Sequence, residues 1–426
     1  MKKALVLGGG GSKGAYEIGV WKALDELDQH FDIVCGTSIG AMIGVLYVQQ
    51  EYDTAYELWS NLTIDDVMLN GIDLDMDIEL IMSQKGKYKA FLESFVEHKG
   101  ADITPFYNMI HRLYDPEKFF NSPIDYGCMC VNVSKRSAAP FLKKDMKKDT
   151  VLDYVMASAS CYPAFPMKII NEEKYVDGGY ADNVPIKLAQ EMGAEEIVAV
   201  DLKSVGRNVV KGPMEHLIYI EPQVSLGSFL LFDHERIMQN MQLGYLDTMK
   251  KFHRLLGSVY TFPLHDEEAI LDFEEEMQEG FAHLKEEIET DKMHLLTEKI
   301  TSLSLLIGLN KFHIYDAPFT AMLEKAAQAF SFDYHKIYDF QDFKYQLLKV
   351  VQAYTPDIQS GLSDSDNIKR LLHNIKDIHL AELICVNFYY LLKDEKNIAV
   401  VWLLATMTND SFLIAYLLYL MYKQQN

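Results

Sequence analysis

The sequence predicts an α/β fold with a parallel central sheet, followed by an all-helical C-terminal domain. Short apolar runs at residues 3–7 and 31–35 each lead through a glycine-containing turn into a helical segment. This alternation is typical of parallel strands joined by crossover helices. From about residue 265 the strand patterns fade and helical spacing dominates. We therefore predict two domains, residues 1–260 and 261–426.

Composition and charge narrow the class of protein. A chain of 426 residues with 49% hydrophobic and 24% charged residues has the balance of a globular protein with a large core. The net charge of −22 argues against nucleic acid as a partner and against electrostatic docking on an anionic membrane. The five cysteines are scattered and odd in number, which is typical of reduced thiols rather than of a disulfide or zinc framework.

Neither a leader peptide nor a membrane span is predicted. The apolar run from Ala4 to Leu7 ends at Gly8, which makes it too short for the core of a signal peptide. No stretch reaches the roughly 18 unbroken apolar residues that a transmembrane helix needs. We expect a cytoplasmic protein and leave open whether it also contacts a membrane peripherally.

The turn after the second strand carries the pattern G-x-S-x-G. Gly36 to Gly40 lies between an apolar strand and a segment rich in small residues. The pattern is typical of a sharp strand-to-helix turn that exposes a serine hydroxyl at the top of a sheet. Glycines are needed in such a turn because the neighbouring backbone leaves no room for Cβ atoms. Ser38 is therefore the candidate reactive residue.

The turn after the first strand, Gly8 to Gly14, admits three interpretations. It matches the G-x-G-x-x-G fingerprint of dinucleotide-binding folds, but no carboxylate stands at the end of the second strand to hold a ribose. A phosphate-binding P-loop needs the order Gly-Lys, whereas here Lys13 precedes Gly14. In the third interpretation, outward-facing glycine amides bind a developing oxyanion. The serine turn in the adjacent βα unit favours this third interpretation.

A third motif, Asp177-Gly178-Gly179, follows a predicted hairpin. A carboxylate at a strand end with glycines after it can approach another backbone closely, although a plain turn aspartate has the same pattern. None of the thirteen histidines lies in the three motifs, and Ser38 follows only one earlier strand. This order differs from that of Ser-His-Asp α/β-hydrolases. A carboxylate within hydrogen-bond reach of the serine can itself accept the serine proton.

The three motifs in this order resemble those of the patatin-like phospholipase family, over about residues 1–250. The resemblance extends to the turn from Pro163 to Pro166, to Asn183-Val184-Pro185 and to Leu243-Gly244-Tyr245. It implies a three-layer α/β/α sandwich that hydrolyses lipid acyl esters with a Ser–Asp dyad and without metal or cofactor. Ser38 would be the nucleophile and Asp177 the base. The oxyanion hole would be formed by the amides of Gly9, Gly10 and Gly11.

Other residues of the motifs would support these groups. Lys13 stands where the family usually has arginine, so the positive charge is kept but a bidentate contact is lost. The remaining supporting positions are Gly14, Gly36, Gly40, Gly178 and Gly179.

The expected function is that of a serine lipid acyl hydrolase of phospholipase A, lysophospholipase or carboxylesterase type. It would cleave a phospholipid or another fatty acyl ester through an acyl-Ser38 intermediate. The alternatives are an acyltransferase that uses the same acyl-enzyme, and a catalytically inactive lipid-binding module. The lysines between 135 and 148 are interpreted as a solvated hairpin. The role of the helical domain and the oligomeric state stay open.

Overall fold

The chain divides into two compact units, Met1–Phe252 and His253–Asn426. The computed structural model describes residues 1–68, 102–162, 164–210, 215–290, 317–361, 379–393 and 408–425. The division falls slightly before the domain boundary that the sequence predicts near residue 260.

The first unit is built on a mixed sheet, which has eight strands over the described residues. They are β1 (Lys3–Leu7), β2 (Ile33–Thr37), β3 (Asp125–Asn132), β4 (Ser137–Leu142), β5 (Lys168–Ile170), β6 (Glu173–Asp177), β7 (Glu196–Val200) and β8 (Leu217–Ile220). The parallel part has the order β3-β2-β1-β7-β8. β4 and β6 pair antiparallel with β3, and β5 forms a hairpin with β6. The predicted parallel core is therefore extended by antiparallel strands at one side.

Helices cover both faces of this sheet. They are α1 (Ala15–Glu26), α2 (Ile39–Val48), α3 (Tyr52–Asn61), α4 (Thr104–Leu113), α5 (Pro116–Asn121), α6 (Val151–Ser158), α7 (Ile186–Glu191) and α8 (His234–Lys251). Val34 lies 3.1 Å from where a Cβ atom at Gly44 of α2 would stand. Its neighbours Ile33 and Cys35 belong to the core cluster that α7 covers. Because side chains alternate along a strand, α2 and α7 lie on opposite faces. The predicted three-layer α/β/α sandwich is confirmed.

The predicted motif Leu243-Gly244-Tyr245 has a packing role. α1 and α8 approach so closely that a Cβ atom at Gly19 would lie 1.8 Å from the Met241 carbonyl oxygen. A Cβ atom at Gly244 would likewise lie 1.9 Å from the Tyr16 carbonyl oxygen. Any side chain at either glycine would force the two helices apart.

The hairpin between residues 135 and 148 is only partly solvated. Lys135 forms an exposed ion pair with Glu173 at 2.8 Å. Lys143, in contrast, is buried, and its Nζ donates to the carbonyl oxygens of Ser122 and Ile124 at 2.8 and 2.9 Å. Lys143 therefore corrects the expectation of a solvated side chain, because two backbone carbonyls replace its water.

The second unit is mainly helical. Its described helices are α9 (Glu267–Thr290), α10 (Pro318–Ala329), α11 (Phe340–Gly361), α12 (Leu380–Leu392) and α13 (Asn409–Gln425). Two short antiparallel strands, β9 (Leu255–Leu256) and β10 (Phe262–Pro263), precede these helices, and the predicted helical character of the C-terminal domain is confirmed. Each strand has two residues, which is too short for an alternating pattern to show in the sequence.

Two details of the helical unit bear on the predictions. The sequence Tyr354-Thr355-Pro356 predicts a separation between two helices, because proline disfavours a helix interior, but α11 continues through Pro356. Phe343, Leu347 and Val351, in the preceding turns of α11, are buried in the core of the unit. The sequence also predicts an apolar helix at residues 397–407, which lies outside the described residues. Among the helices that are described, none has the length and apolar character to span a membrane.

Candidate active site

Ser38 stands at the sharp turn between β2 and α2. Its backbone has φ 56° and ψ −121°, a strained conformation that costs of order 1–3 kcal/mol for a residue with a side chain. The turn is so tight that a Cβ atom at Gly36 would lie 2.3 Å from the Gly40 carbonyl oxygen. A Cβ atom at Gly40 would lie 2.5 Å from the Leu7 carbonyl oxygen. The turn leaves Ser38 partly exposed at the carboxyl end of the parallel strands.

Asp177 reaches Ser38 because their strands share a neighbour. β2 ends with Thr37 opposite Met129 of β3, and the antiparallel β6 ends with Asp177 opposite Cys130. β4 pairs with residues 127–132 of β3, so it occupies the other edge of that strand. β2 and β6 therefore lie end to end along one edge of β3. The chain ends that carry the serine and the carboxylate meet at this junction.

Asp177 is buried and is held by the turn that follows it. The Gly179 amide donates to Asp177 Oδ1 at 2.8 Å, and the Asp177 amide donates to the Ser160 carbonyl oxygen at 2.9 Å. Burial raises the pKa of Asp177 to about 6, while the Gly179 amide and a hydrogen bond with the Ser38 side chain oppose the rise. The two predicted residues are thus in side-chain contact, and the carboxyl ionises close to neutral pH.

The supporting motif residues lie in tightly packed turns. A Cβ atom at Gly178 would lie 2.1 Å from the Met129 carbonyl oxygen, and one at Gly179 would lie 2.8 Å from Asn183 Oδ1. Lys13 and Gly14 are buried in a 3₁₀ turn at residues 11–14. Of these four positions, Gly179 lines the cavity over Ser38.

The glycine loop lies directly beside Ser38, since a Cβ atom at Gly9 would be 3.2 Å from the Ser38 Cβ. The Gly9 amide donates to the Asn183 carbonyl oxygen at 3.1 Å, and Asn183 Nδ2 donates back to the Gly9 carbonyl at 3.1 Å. The Gly9 amide therefore already donates a hydrogen bond within the protein, contrary to its expected role as an oxyanion donor. Within the described part of the chain, no hydrogen bond occupies the amides of Gly10 and Gly11.

Gly11 fixes the far end of the loop. Its φ is 55°, and a Cβ atom there would lie 2.2 Å from the Phe229 carbonyl oxygen. The following amide, that of Ser12, donates to the same Phe229 oxygen at 2.8 Å. Both the left-handed backbone and the close approach require glycine at this position.

An apolar cavity of about 140 Å³ opens over Ser38, Asp177 and the glycine loop. It is enclosed mainly by large apolar side chains from α2, α3, α4 and the segment before α8. They include Ile39, Met42, Trp59, Phe106, Met109 and Leu230. An apolar chain bound here would place a polar group at its end beside the serine.

Two residues that contact the site have no motif in the sequence. Ser158 Oγ accepts the Ser38 amide at 2.9 Å, although α6 is more than a hundred residues away along the chain. Glu17 is fully buried and accepts the Gly8 amide at 2.7 Å, and burial raises the pKa of its carboxyl well above the ordinary value. Of the two, Glu17 offers a signal, because it is the one charged residue in the first half of α1, residues 15–21.

Among the described residues, one cluster has the composition of a metal site. It consists of His265, Asp266 and Asp339 in the second unit. Asp266 Oδ2 already accepts the Phe340 amide at 2.8 Å, so it has a structural role at the start of α11.

The fold and the site together define a class, an α/β/α sandwich that carries a serine on a sharp turn beside a buried carboxylate. Residues 5–189 match the sequence model of the Patatin-like phospholipase family. The matched range includes the glycine loop, the serine turn and Asp177 with its two glycines. This match confirms the resemblance to patatin-like phospholipases that is seen in the sequence.

The chain is similar to much longer curated proteins. Lysophospholipase nte1 of Emericella nidulans is 27% identical over 301 residues, which are 66% of this chain and 18% of that protein. Patatin-like phospholipase domain-containing protein 6 of Homo sapiens is 28% identical over 207 residues, 47% of this chain and 13% of that protein. The chain thus spans less than a fifth of the length of these relatives. The crystal structure of VipD from Legionella pneumophila aligns with a TM-score of 0.40 at 15% identity, covering 99% of this chain and 90% of VipD.

Proposed function

We propose that this chain is a serine lipid acyl hydrolase that cleaves fatty acyl esters through an acyl-Ser38 intermediate, with Asp177 as the base. The observation that carries this proposal is the side-chain contact between Ser38 and Asp177 at the edge of an apolar cavity. The patatin-like domain and the lysophospholipase names of the relatives support the same type of reaction.

In the first step, Asp177 takes the Oγ proton of Ser38 as this oxygen attacks the ester carbonyl. The carbonyl oxygen becomes an oxyanion, which the amides of Gly10 and Gly11 and the N-terminal end of α2 stabilise. A carboxyl with a pKa of about 6 is ionised at neutral pH and still basic enough to share the proton. When the intermediate collapses, the C–O bond breaks and the alcohol leaves with the proton from Asp177.

In the second step, water releases the fatty acid. Asp177, ionised again, takes a proton from a water molecule that adds to the acyl carbonyl. The same amides hold the second oxyanion. The bond to Ser38 Oγ then breaks, and the serine regains its proton from Asp177. Both steps use only these groups and water.

The walls of the site support a lipid substrate. An apolar lining next to the reactive pair suits a fatty acyl chain, with the ester at Ser38 and the head group toward solvent. We propose a phospholipid, a lysophospholipid or another fatty acyl ester. The net charge of −22 favours neutral over anionic lipid surfaces, so we propose a cytoplasmic enzyme with peripheral contact to neutral membranes.

The test is a panel of lysophospholipids, diacyl phospholipids and p-nitrophenyl acyl esters, assayed with the wild type and Ser38→Ala. Ser38→Ala is expected to lose activity by more than about 10³-fold, because the nucleophile is removed. Ser137→Ala, at an exposed position of β4, serves as the matched control. A fluorophosphonate probe should label the wild type and Ser137→Ala but not Ser38→Ala.

The alternatives give different results in the same experiment. Full esterase activity of Ser38→Ala would rule out the proposed intermediate. Acyl product transferred to an added alcohol, in place of free fatty acid, would indicate an acyltransferase. Lipid binding with neither labelling nor turnover would indicate an inactive lipid-binding module.

A further inference from the structure

Ser158 joins the nucleophile turn to the strand beside it. Its Oγ accepts the Ser38 amide at 2.9 Å and donates to the Met129 carbonyl oxygen at 2.6 Å. The residue is completely buried at the C-terminal end of α6. One hydroxyl group thus satisfies two backbone groups that lie next to the reactive pair.

We infer that Ser158 is a positioning residue for the hydrolysis, one that fixes the peptide plane of Ser38 so that the serine hydroxyl meets Asp177. This inference rests on the proposed function. Ser38 has a positive φ, and a strained residue keeps its conformation only where its surroundings restrain it. The bond from its amide to Ser158 is such a restraint, and it comes from a different element than the turn itself.

The second bond of Ser158 connects it to the side of Asp177. Gly178 lies directly on the Met129 carbonyl, with a Cβ position only 2.1 Å from that oxygen. Met129 stands opposite Thr37, and the next residue of β3 stands opposite Asp177. The Ser158 hydroxyl therefore bridges the backbone of Ser38 and the strand that positions the carboxylate. Without it, the distance between the two reactive groups is less well defined.

The same bond determines which amides face the substrate. Because the Ser38 amide donates to Ser158, it is not available to an oxyanion. Stabilisation of the oxyanion is then left to the amides of Gly10 and Gly11 and to the N-terminal end of α2. The amide of Ser38 therefore helps to hold the nucleophile in place, while other backbone amides stabilise the oxyanion.

The experiment compares Ser158→Ala with Thr248→Val. Ser158→Ala removes the bridging hydroxyl and keeps the Cβ atom. Thr248 is also fully buried in the first unit, and its hydroxyl donates to the Gly244 carbonyl at 2.7 Å within α8, outside the site. Ser158→Ala loses two buried hydrogen bonds and Thr248→Val loses one, so both should melt at a lower temperature. Only Ser158→Ala should lower kcat, by 10- to 100-fold, with KM within twofold of the wild type.

Two further measurements separate positioning from general destabilisation. Fluorophosphonate labelling of Ser38 should slow in Ser158→Ala by the same factor as kcat, and Ser158→Thr, which keeps the hydroxyl, should regain labelling. If Ser158→Ala does not fold, Ser158→Cys takes its place, since a thiol is a weaker donor and acceptor.

The outcomes are distinct. A kcat of Ser158→Ala within twofold of both the wild type and Thr248→Val would overturn the inference. If Ser38→Ala is inactive in that same assay, the proposed function stands while the role of Ser158 falls. If Ser38→Ala stays active, the proposed function itself fails.

Discussion

Replacing Asp177 by asparagine is predicted to stabilise the protein and to abolish its activity. Asparagine has nearly the same shape and still offers an oxygen to the Gly179 amide, which lies 2.8 Å from Asp177 Oδ1. It carries no charge in the buried site and cannot take the proton of Ser38. The substitution thus removes the energetic cost of the carboxylate together with its chemistry.

The size of the effect follows from the pKa of Asp177. Burial raises it from the ordinary 3.8 to about 6. Each pKa unit corresponds to about 1.4 kcal/mol, so ionising this carboxyl in the folded state costs about 3 kcal/mol. The pKa of Asp177 is higher in the folded state than in the unfolded state, so protonation of this carboxyl stabilises the folded state. This stabilisation is fully present below about pH 3.8. It is lost as the pH rises through about 6.

The assay is urea unfolding of wild type and Asp177→Asn at pH 8 and at the lowest pH where both remain folded. At pH 8 the variant should exceed the wild type in free energy of unfolding by about 1–3 kcal/mol, and the difference should shrink as the pH falls. Esterase activity of the variant should be lost at every pH.

Two results would refute this reasoning. A variant less stable than the wild type at pH 8 would mean that the carboxylate is stabilised in place, for example by a charge that offsets its burial. A variant that keeps its activity would remove Asp177 from the role of base.

Two other predictions concern the rate. The value of kcat/KM should increase tenfold per pH unit below about pH 6 and level off above it, because the base acts only when Asp177 is ionised; a profile flat from pH 4.5 to 8 would contradict this. Gly11→Ala should lower kcat by about 10²–10³-fold, since its Cβ atom would lie 2.2 Å from the Phe229 carbonyl and would displace an oxyanion donor. Gly193→Ala is the control, because Gly193 also has a positive φ but the nearest atom to its Cβ position is 4.0 Å away. This variant should lose only about 1–2 kcal/mol of stability. Equal kcat values in the two variants would refute the role of the loop.

The local features of the site could be predicted from the sequence. The apolar runs before Gly8 and Gly36 predicted β1 and β2, and the glycine patterns predicted the loop and the serine turn. These features depend on backbone geometry over a few residues, which residue types such as glycine express directly. The same reasoning missed β9 and β10, because a strand of two residues shows no alternating pattern. It also predicted a break at Pro356, where α11 continues.

The contacts across the chain could not be predicted in this way. Ser158 contacts Ser38 through a hydrogen bond that spans 120 positions, and nothing in the residues around it differs from an ordinary helix end. Gly9 shows the same limit in the opposite sense. Its place in the glycine motif suggested a free amide. In the structure this amide donates a hydrogen bond to the carbonyl oxygen of Asn183, which is far along the chain.

The sequence by itself determined which reactive groups are present: a serine on a sharp turn, a glycine loop next to it and a carboxylate at a strand end. The tertiary structure alone decided how these groups are used. The pairing of β2 and β6 along one edge of β3 brings Asp177 to Ser38, and burial at that junction raises the pKa of its carboxyl to about 6. Strand register and desolvation depend on residues far apart in the chain, so a local pattern cannot express them.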